Sequence, residues 1–219
     1  LDCSVSISLL SANMLNLEQE LKKIKDSGAD MIHYDVMDGV FVPNITFGMP
    51  ILDVINKSTD LMLDVHLMID EPLKYVGEFA KCGADIITFH LESKSNAMQT
   101  IIAIRNSKKK VAIAIKPSTP VKAVYDYLPF IDMVLVMTVE PGFAGQSFMH
   151  VCLDKIKALK TKIDSEKLDV DIQVDGGIDG ETSALVREAG ANILVSGSYL
   201  FNSPDISGAV RLLKGEINA

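Results

Sequence analysis

Three short stretches place His or Asp at alternate positions inside otherwise apolar runs: "HYDVM" (33–37), "DVHLM" (64–68) and "QVD" (173–175). Burying such groups costs several kcal/mol unless a partner or a cation compensates. Side chains of a β-strand alternate faces, so His33, Asp35 and Met37 share one face and Ile32, Tyr34 and Val36 the other. By the same parity Asp64, His66 and Met68 stand opposite Leu63, Val65 and Leu67, and Gln173 and Asp175 stand opposite Ile172 and Val174. The polar residues fall late in their strands. If those strand ends meet, His33, Asp35, His66 and Asp175 converge on one point. Two imidazoles and two carboxylates suit a divalent ion, with zinc, iron, manganese and cobalt as candidates. Its charge would stabilise carboxylates that burial penalises. A single buried His or Asp is more often a satisfied core group. His90 is placed in that class and His150 on the surface, but two His/Asp pairs at one depth plus a third strand ending in Asp favour a site.

Elements able to hold these residues recur along the chain. "SGADMI" (27–32), "CGADII" (82–87) and "AGANIL" (189–194) each end a helical pattern with Gly and begin an apolar strand. Gly28, Gly83 and Gly190 lie 55 and 107 residues apart, a near one-to-two ratio that leaves room for eight strand–helix units. Apolar runs at 4–10, 31–37, 60–68, 84–90, 110–116, 133–139, 170–176 and 192–198 supply eight strands. Amphipathic segments such as 16–28 and 152–163 lie between them. The alternation predicts an α/β fold, a (β/α)8 TIM barrel forming one domain over residues 1–219. An open doubly wound sheet is the rival, but no GxGxxG follows the first strand.

Composition narrows the setting. The chain has 219 residues, 48% of them hydrophobic, enough for a large core. A net charge of -8 with no basic patch argues against nucleic acid or an anionic membrane as partner. No apolar run reaches the ~20 residues of a membrane span. No signal-peptide pattern opens the chain, although Leu1 in place of Met points to a trimmed start. Three cysteines, Cys3, Cys82 and Cys152, form no close pair and suggest a reducing, cytoplasmic compartment.

Glycines mark a second feature. "DGGI" (175–178) and "SGS" (196–198) close the last two strands, where barrels commonly hold a phosphate on backbone N–H groups. Gly176, Gly177 and Gly197 would allow that close approach. "EPGFAGQSF" (140–148) follows the sixth strand and reads as a lid, with Gly142 and Gly145 bracketing Phe143 and Ala144. Met37, Met68 and Met137 share the axial face of three strands and would form a soft apolar wall that excludes water and shields an intermediate.

Along nearly its whole length the chain resembles the ribulose-phosphate 3-epimerase family. The resemblance rests on "SLLSAN" (8–13), "HYDVMDGVFVPNITFG" (33–48), "DVHLM" (64–68), "MTVEPGFAGQSF" (137–148), "VDGGI" (174–178) and "SGS" (196–198). It implies a metal-dependent TIM barrel interconverting D-ribulose 5-phosphate and D-xylulose 5-phosphate through an enediolate. It further implies His33, Asp35, His66 and Asp175 as ligands of one divalent ion, zinc first, and Asp35 and Asp175 as the acid–base pair. Substrate contacts would come from Ser8, His66, the loop Gly142, Phe143, Ala144 and Gly145, the run Asp175, Gly176 and Gly177, and Gly197 with Ser198. The partner would be a small sugar phosphate, and family members are commonly homo-oligomers. Two residues depart from the family pattern: Ile7, where Pro is usual, and Ala144, where Gly is usual. Ala144 is similar to the related allulose-6-phosphate 3-epimerases, so pentose and hexose phosphates both stay open. A Schiff-base aldolase using Lys116 and a non-catalytic phosphosugar-binding barrel are the more distant alternatives.

Overall fold

A computed structural model describes residues 3–217; positions 1–2 and 218–219 of the expected domain lie outside the described residues. Eight parallel strands close into a barrel in sequence order, as expected. They are β1 (Ser4–Ser8), β2 (Met31–Met37), β3 (Met62–Met68), β4 (Ile86–His90), β5 (Lys110–Ile115), β6 (Met133–Met137), β7 (Asp171–Asp175) and β8 (Ile193–Ser196). Around them run α1 (Leu17–Asp26), α2 (Met49–Ser58), α3 (Val76–Lys81), α4 (Ala97–Asn106), α5 (Cys152–Glu166), α6 (Gly180–Ala189), α7 (Ser198–Phe201) and α8 (Ile206–Lys214).

The barrel follows from the strand parity. Ile32, Tyr34, Val65, Leu67, Val134 and Val174 face outward and pack against Leu21, Ile24, Leu52, Phe79 and Ile156 of the helices. Inside, Met31, Ile86, Ala112, Met133 and Ile193 form an apolar plug below the polar residues. Fully buried Ser6, Asp64, Thr88 and Gln173 occupy the interior above it. Gly28, Gly83 and Gly190 take φ of +81°, +103° and +114°, the left-handed turn expected where helix passes to strand.

Two local departures have physical causes. β1 stops at Ser8 rather than running on to residue 10, because the Ser8 hydroxyl caps a 3-10 turn over Leu9–Ser11. Between β5 and β6 the chain forms a 3-10 run, Val121–Phe130, instead of an α-helix; Pro129 within it lacks the N–H that an α-helix would use. Among the described residues no helix is long and apolar enough to cross a membrane.

Candidate metal and active site

β2 and β3 pair with His33 beside Asp64 and Asp35 beside His66, so two inward-facing pairs sit side by side in opposite order. His33 Nε2, His66 Nδ1 and Asp35 Oδ1 form a near-equilateral triangle with edges of 3.3, 3.2 and 3.2 Å. From across the barrel, Asp175 at the end of β7 brings Oδ2 to 3.8 and 3.9 Å from the two nitrogens. One ligand atom from each of these four residues lies within 4.8 Å of all the others. Ligands at ~2.0–2.2 Å from a tetrahedral ion stand ~3.3–3.6 Å apart, so the spacing fits one cation after a slight inward shift of Asp175. The structure thus brings together the four residues that strand parity places on inner faces.

Hydrogen bonds around the cluster aim these atoms. Asp64 Oδ2 lies 2.7 Å from His33 Nδ1 and accepts from Gln173 Nε2 at 2.6 Å and from Ser6 Oγ at 3.0 Å. With a proton on Nδ1, His33 can present its Nε2 lone pair to the triangle. Ser8 Oγ donates to Asp35 Oδ2 at 2.7 Å and holds that carboxylate from its other side. On the far side of His66, its Nε2 stands 2.9 Å from His90 Nε2, and His90 Nδ1 stands 3.2 Å from Glu92 Oε2. Parity puts Asp64 and Gln173 on the inner face, but the contact of Asp64 with His33 and that of Gln173 with Asp64 depend on how strands meet across the barrel, which parity does not give.

Electrostatics separates the carboxylates. Burial alone would raise the Asp35 pKa, but the charge and hydrogen bonds of His33 and His66 outweigh it and hold Asp35 well below the usual carboxylate range. Asp64 is lowered in the same way, with burial opposed by His33, Gln173 and Ser6. Asp175 is pushed up to about 6, chiefly by burial, with Asp35 adding repulsion. Burial would lower His33, yet Asp35 and Asp64 together lift it well above 6.5. The carboxylates around the triangle therefore call for positive charge, which either an imidazolium or a divalent cation supplies.

Above the cluster opens a cavity of about 820 Å³. Its lining includes Ser8, Asp35, Asp175, Ser198 and the expected glycines 142, 145, 176, 177 and 197, together with Phe143 and Ala144. His33 and His66 are fully buried beneath it. Met37, Met68 and Met137 also line the cavity, each nearly inaccessible to solvent. His150 is exposed, as expected, and stands at the rim.

Loop contacts shape that cavity. Asp38 accepts from the backbone N–H groups of Val40 and Phe41 and from Asp70 N, each at 2.8 Å, which ties the loop after β2 to the loop after β3. Asn44 Nδ2 donates to Gly142 O at 2.9 Å and joins the lid to the same loop. Thr138 Oγ1 donates to the carbonyls of Asp175 and Gly176 at 2.9 and 2.6 Å and fixes the backbone at the end of β7. A Cβ on Gly176 would stand 2.4 Å from Val139, and one on Gly177 would stand 2.5 Å from Phe148 N, so both glycines are needed where this backbone passes under the lid.

The run 110–116 would give Lys116, the residue of the aldolase alternative, the same inward face as Ala112 and Ala114, but the strand does not extend that far. β5 ends at Ile115, the Lys116 N–H is taken by Glu92 Oε1 at 2.8 Å, and the ammonium lies over the Phe41 ring at 4.0 Å from its centroid. It does not line the cavity.

Fold and site together define the class: a (β/α)8 barrel carrying a His2Asp2 cluster able to hold a metal ion at the carboxyl ends of its strands. The chain belongs to the ribulose-phosphate 3 epimerase family, whose sequence profile matches residues 4–201, and it is accordingly an isomerase of the epimerase type. It is 46% identical over 212 residues to the ribulose-phosphate 3-epimerase of Bacillus subtilis (strain 168), covering 96% of this chain and 98% of that one. It is 48% identical over 208 residues to the enzyme of the same name from Synechocystis sp., covering 94% and 90%. A crystal structure of 3-hexulose-6-phosphate synthase superposes with a TM-score of 0.69 at 19% identity, over 99% of this chain and 100% of that one, a likeness of fold alone.

Proposed function

We propose that this chain inverts C3 of D-ribulose 5-phosphate to give D-xylulose 5-phosphate, using one divalent ion held by His33, Asp35, His66 and Asp175. The observation that carries this reading is the convergence of four donor atoms within 4.8 Å of one another beneath a glycine-lined cavity, in a member of this family. When bound, the ion, zinc first among zinc, iron, manganese and cobalt, supplies Lewis-acid stabilisation for the negative charge that develops as the C3 proton leaves.

Asp35 and Asp175 carry the protons. One carboxylate takes the C3 proton, so a C–H bond breaks, an O–H bond forms, and the electron pair moves into an enediolate. The other, protonated, returns a proton to the opposite face as the carbonyl re-forms. β2 and β7 lie three strands apart around the ring, which lets the two side chains approach from different sides. Without the ion their pKa values are driven in opposite directions, Asp35 down and Asp175 up, so the two carboxylates stand in unlike surroundings. The phosphate is read by the backbone of Gly176, Gly177 and Gly197 and by Ser198, with Phe143 and Ala144 of the lid closing over it. The three methionines exclude water from the intermediate.

Ala144 favours a second reading, the corresponding epimerisation of D-allulose 6-phosphate, within the same chemistry. Comparing kcat/KM for the two ketose phosphates decides sugar length. The primary test is metal analysis of the purified protein with an assay on ribulose 5-phosphate in deuterated water. Expected are one divalent ion per chain and deuterium incorporated at C3. Turnover that survives complete chelation, or that leaves C3 hydrogen unexchanged, refutes the mechanism.

A further inference from the structure

His66 is the one histidine of the cluster that turns Nδ1 toward the triangle, and its other nitrogen meets a third histidine rather than a carboxylate. The His66 and His90 rings have centroids 5.0 Å apart and planes only 28° apart, while their Nε2 atoms are 2.9 Å apart. The centroid separation exceeds the nitrogen separation by about two ring radii, so the rings meet edge to edge and share one in-plane proton. Both are fully buried, and that bond admits a single donor.

Glu92 determines which ring donates. Its Oε1 accepts from Lys116 N at 2.8 Å and from the Thr119 hydroxyl, which pins the carboxylate at the mouth of β4 and β5. Its Oε2 faces His90 Nδ1 at 3.2 Å. A carboxylate opposite a bare imidazole lone pair would repel it, so His90 carries its proton on Nδ1 and leaves Nε2 as an acceptor. His66 must then donate from Nε2, so its Nδ1 is the atom left facing Asp35 and His33, where a bound cation would remove the repulsion between the Nδ1 lone pair and the Asp35 carboxylate. Phe41 packs on His90 with centroids 4.8 Å apart, and Lys116 caps Phe41, so the ring has little room to turn over.

We infer that Glu92 and His90 are positioning residues, a relay that sets the tautomer of His66 and so aims its Nδ1 lone pair at the cation. The inference rests on the metal reading above, but its first test does not need the metal. Outer hydrogen-bond partners of metal-bound histidines typically contribute 10–100-fold to affinity.

The experiment is imidazole 15N NMR of the full chain, metal-free and zinc-loaded, combined with zinc affinity by chelator competition. His90 is expected as the Nδ1–H tautomer in both forms, opposite to the preference of a free histidine side chain, with a nitrogen–nitrogen coupling to His66 across the shared proton. His90→Ala is expected to keep the native amide spectrum and lose 10–100-fold in zinc affinity. His90→Gln, whose side-chain carbonyl still accepts, is expected to recover most of that loss. Should His90→Ala not fold, Glu92→Gln is read instead, with a mixture of His90 tautomers expected. A wild-type His90 protonated on Nε2, wild-type zinc affinity in folded His90→Ala, or an unchanged His90 tautomer in Glu92→Gln would each overturn the relay. Failure of the wild-type protein to bind zinc or another divalent ion, with the His90 tautomer as expected, refutes the metal reading and with it the aiming role, and leaves only the tautomer assignment of His90 and His66.

Discussion

Ser8 holds Asp35 by the oxygen that faces away from the imidazoles: Ser8 Oγ to Asp35 Oδ2 is 2.7 Å, while Oδ1 lies 3.2 Å from both His33 and His66. The same hydroxyl accepts from Leu10 N at 3.3 Å, so its position is set by the backbone turn that ends β1. One oxygen is anchored and the other is aimed. Ser8→Ala is therefore expected to fold normally and to lose about 10- to 100-fold in kcat/KM, as loss of a hydrogen bond to a charged group implies. Steady-state kinetics beside a thermal melt check this; unaltered kinetics would mean that Asp35 needs no such anchor.

Asp35→Asn and Asp175→Asn preserve shape but remove a proton carrier. Each is expected to lower kcat by at least ~10²–10⁴ while retaining the circular dichroism of the parent. A near-normal rate in either would remove that residue from proton transfer. Because Asp35 also lies within reach of both imidazoles, its amide should weaken divalent-ion binding as well, which isothermal titration would register.

Affinity for the ion should fall on acidification, since proton and metal compete for the same atoms. Asp175 titrates at about 6 and must be ionised to bind. His33, lifted well above 6.5, must give up its Nε2 proton, so competition extends into the neutral range. Each proton displaced contributes up to tenfold in affinity per pH unit below the corresponding pKa. The sign for folding of the metal-free protein is the reverse at Asp175: its pKa is raised from 3.8, so its ionisation removes stability as pH climbs from there to about 6. Zinc titrations between pH 5 and 8 are the check, and a flat profile would contradict these protonation states.

Much of this site is legible in the sequence because strand parity is strictly twofold. His33, Asp35, His66 and Asp175 lie on inner faces wherever their strands pair, so their convergence requires only that the barrel close. Relationships between strands are harder to read. Ser8 is in register with His33 yet bonds to Asp35, two residues further along β2, and that offset comes from strand stagger around the ring. Asp64 and Gln173 are 109 residues apart and meet across the interior for the same reason. Lys116 shows the limit of parity: the rule holds only while the strand lasts, and Glu92 ends β5 one residue early by taking the Lys116 N–H.

Two glycines of the mouth separate conformational strain from steric exclusion. Gly145 in the lid and Gly177 after β7 have similar backbones, with φ of +74° and +67°. A Cβ at 145 would meet nothing within 4 Å, whereas one at 177 would press on Phe148 N at 2.5 Å and on its Cα at 2.8 Å. Left-handed backbone costs a non-glycine residue ~1–2 kcal/mol, so Gly145→Ala should lose about that much stability or less, since an exposed loop can relax. Gly177→Ala bears the same strain and must also push two backbones apart at the base of the lid. It is expected to be destabilised by at least ~1–3 kcal/mol more than Gly145→Ala. Because Gly177 lines the cavity where the phosphate is proposed to rest, its KM should rise as well. Denaturant unfolding gives the first quantity and initial rates the second. Equal stability losses in the two variants would show that the lid base yields freely and that glycine is required at 177 for its backbone angle alone.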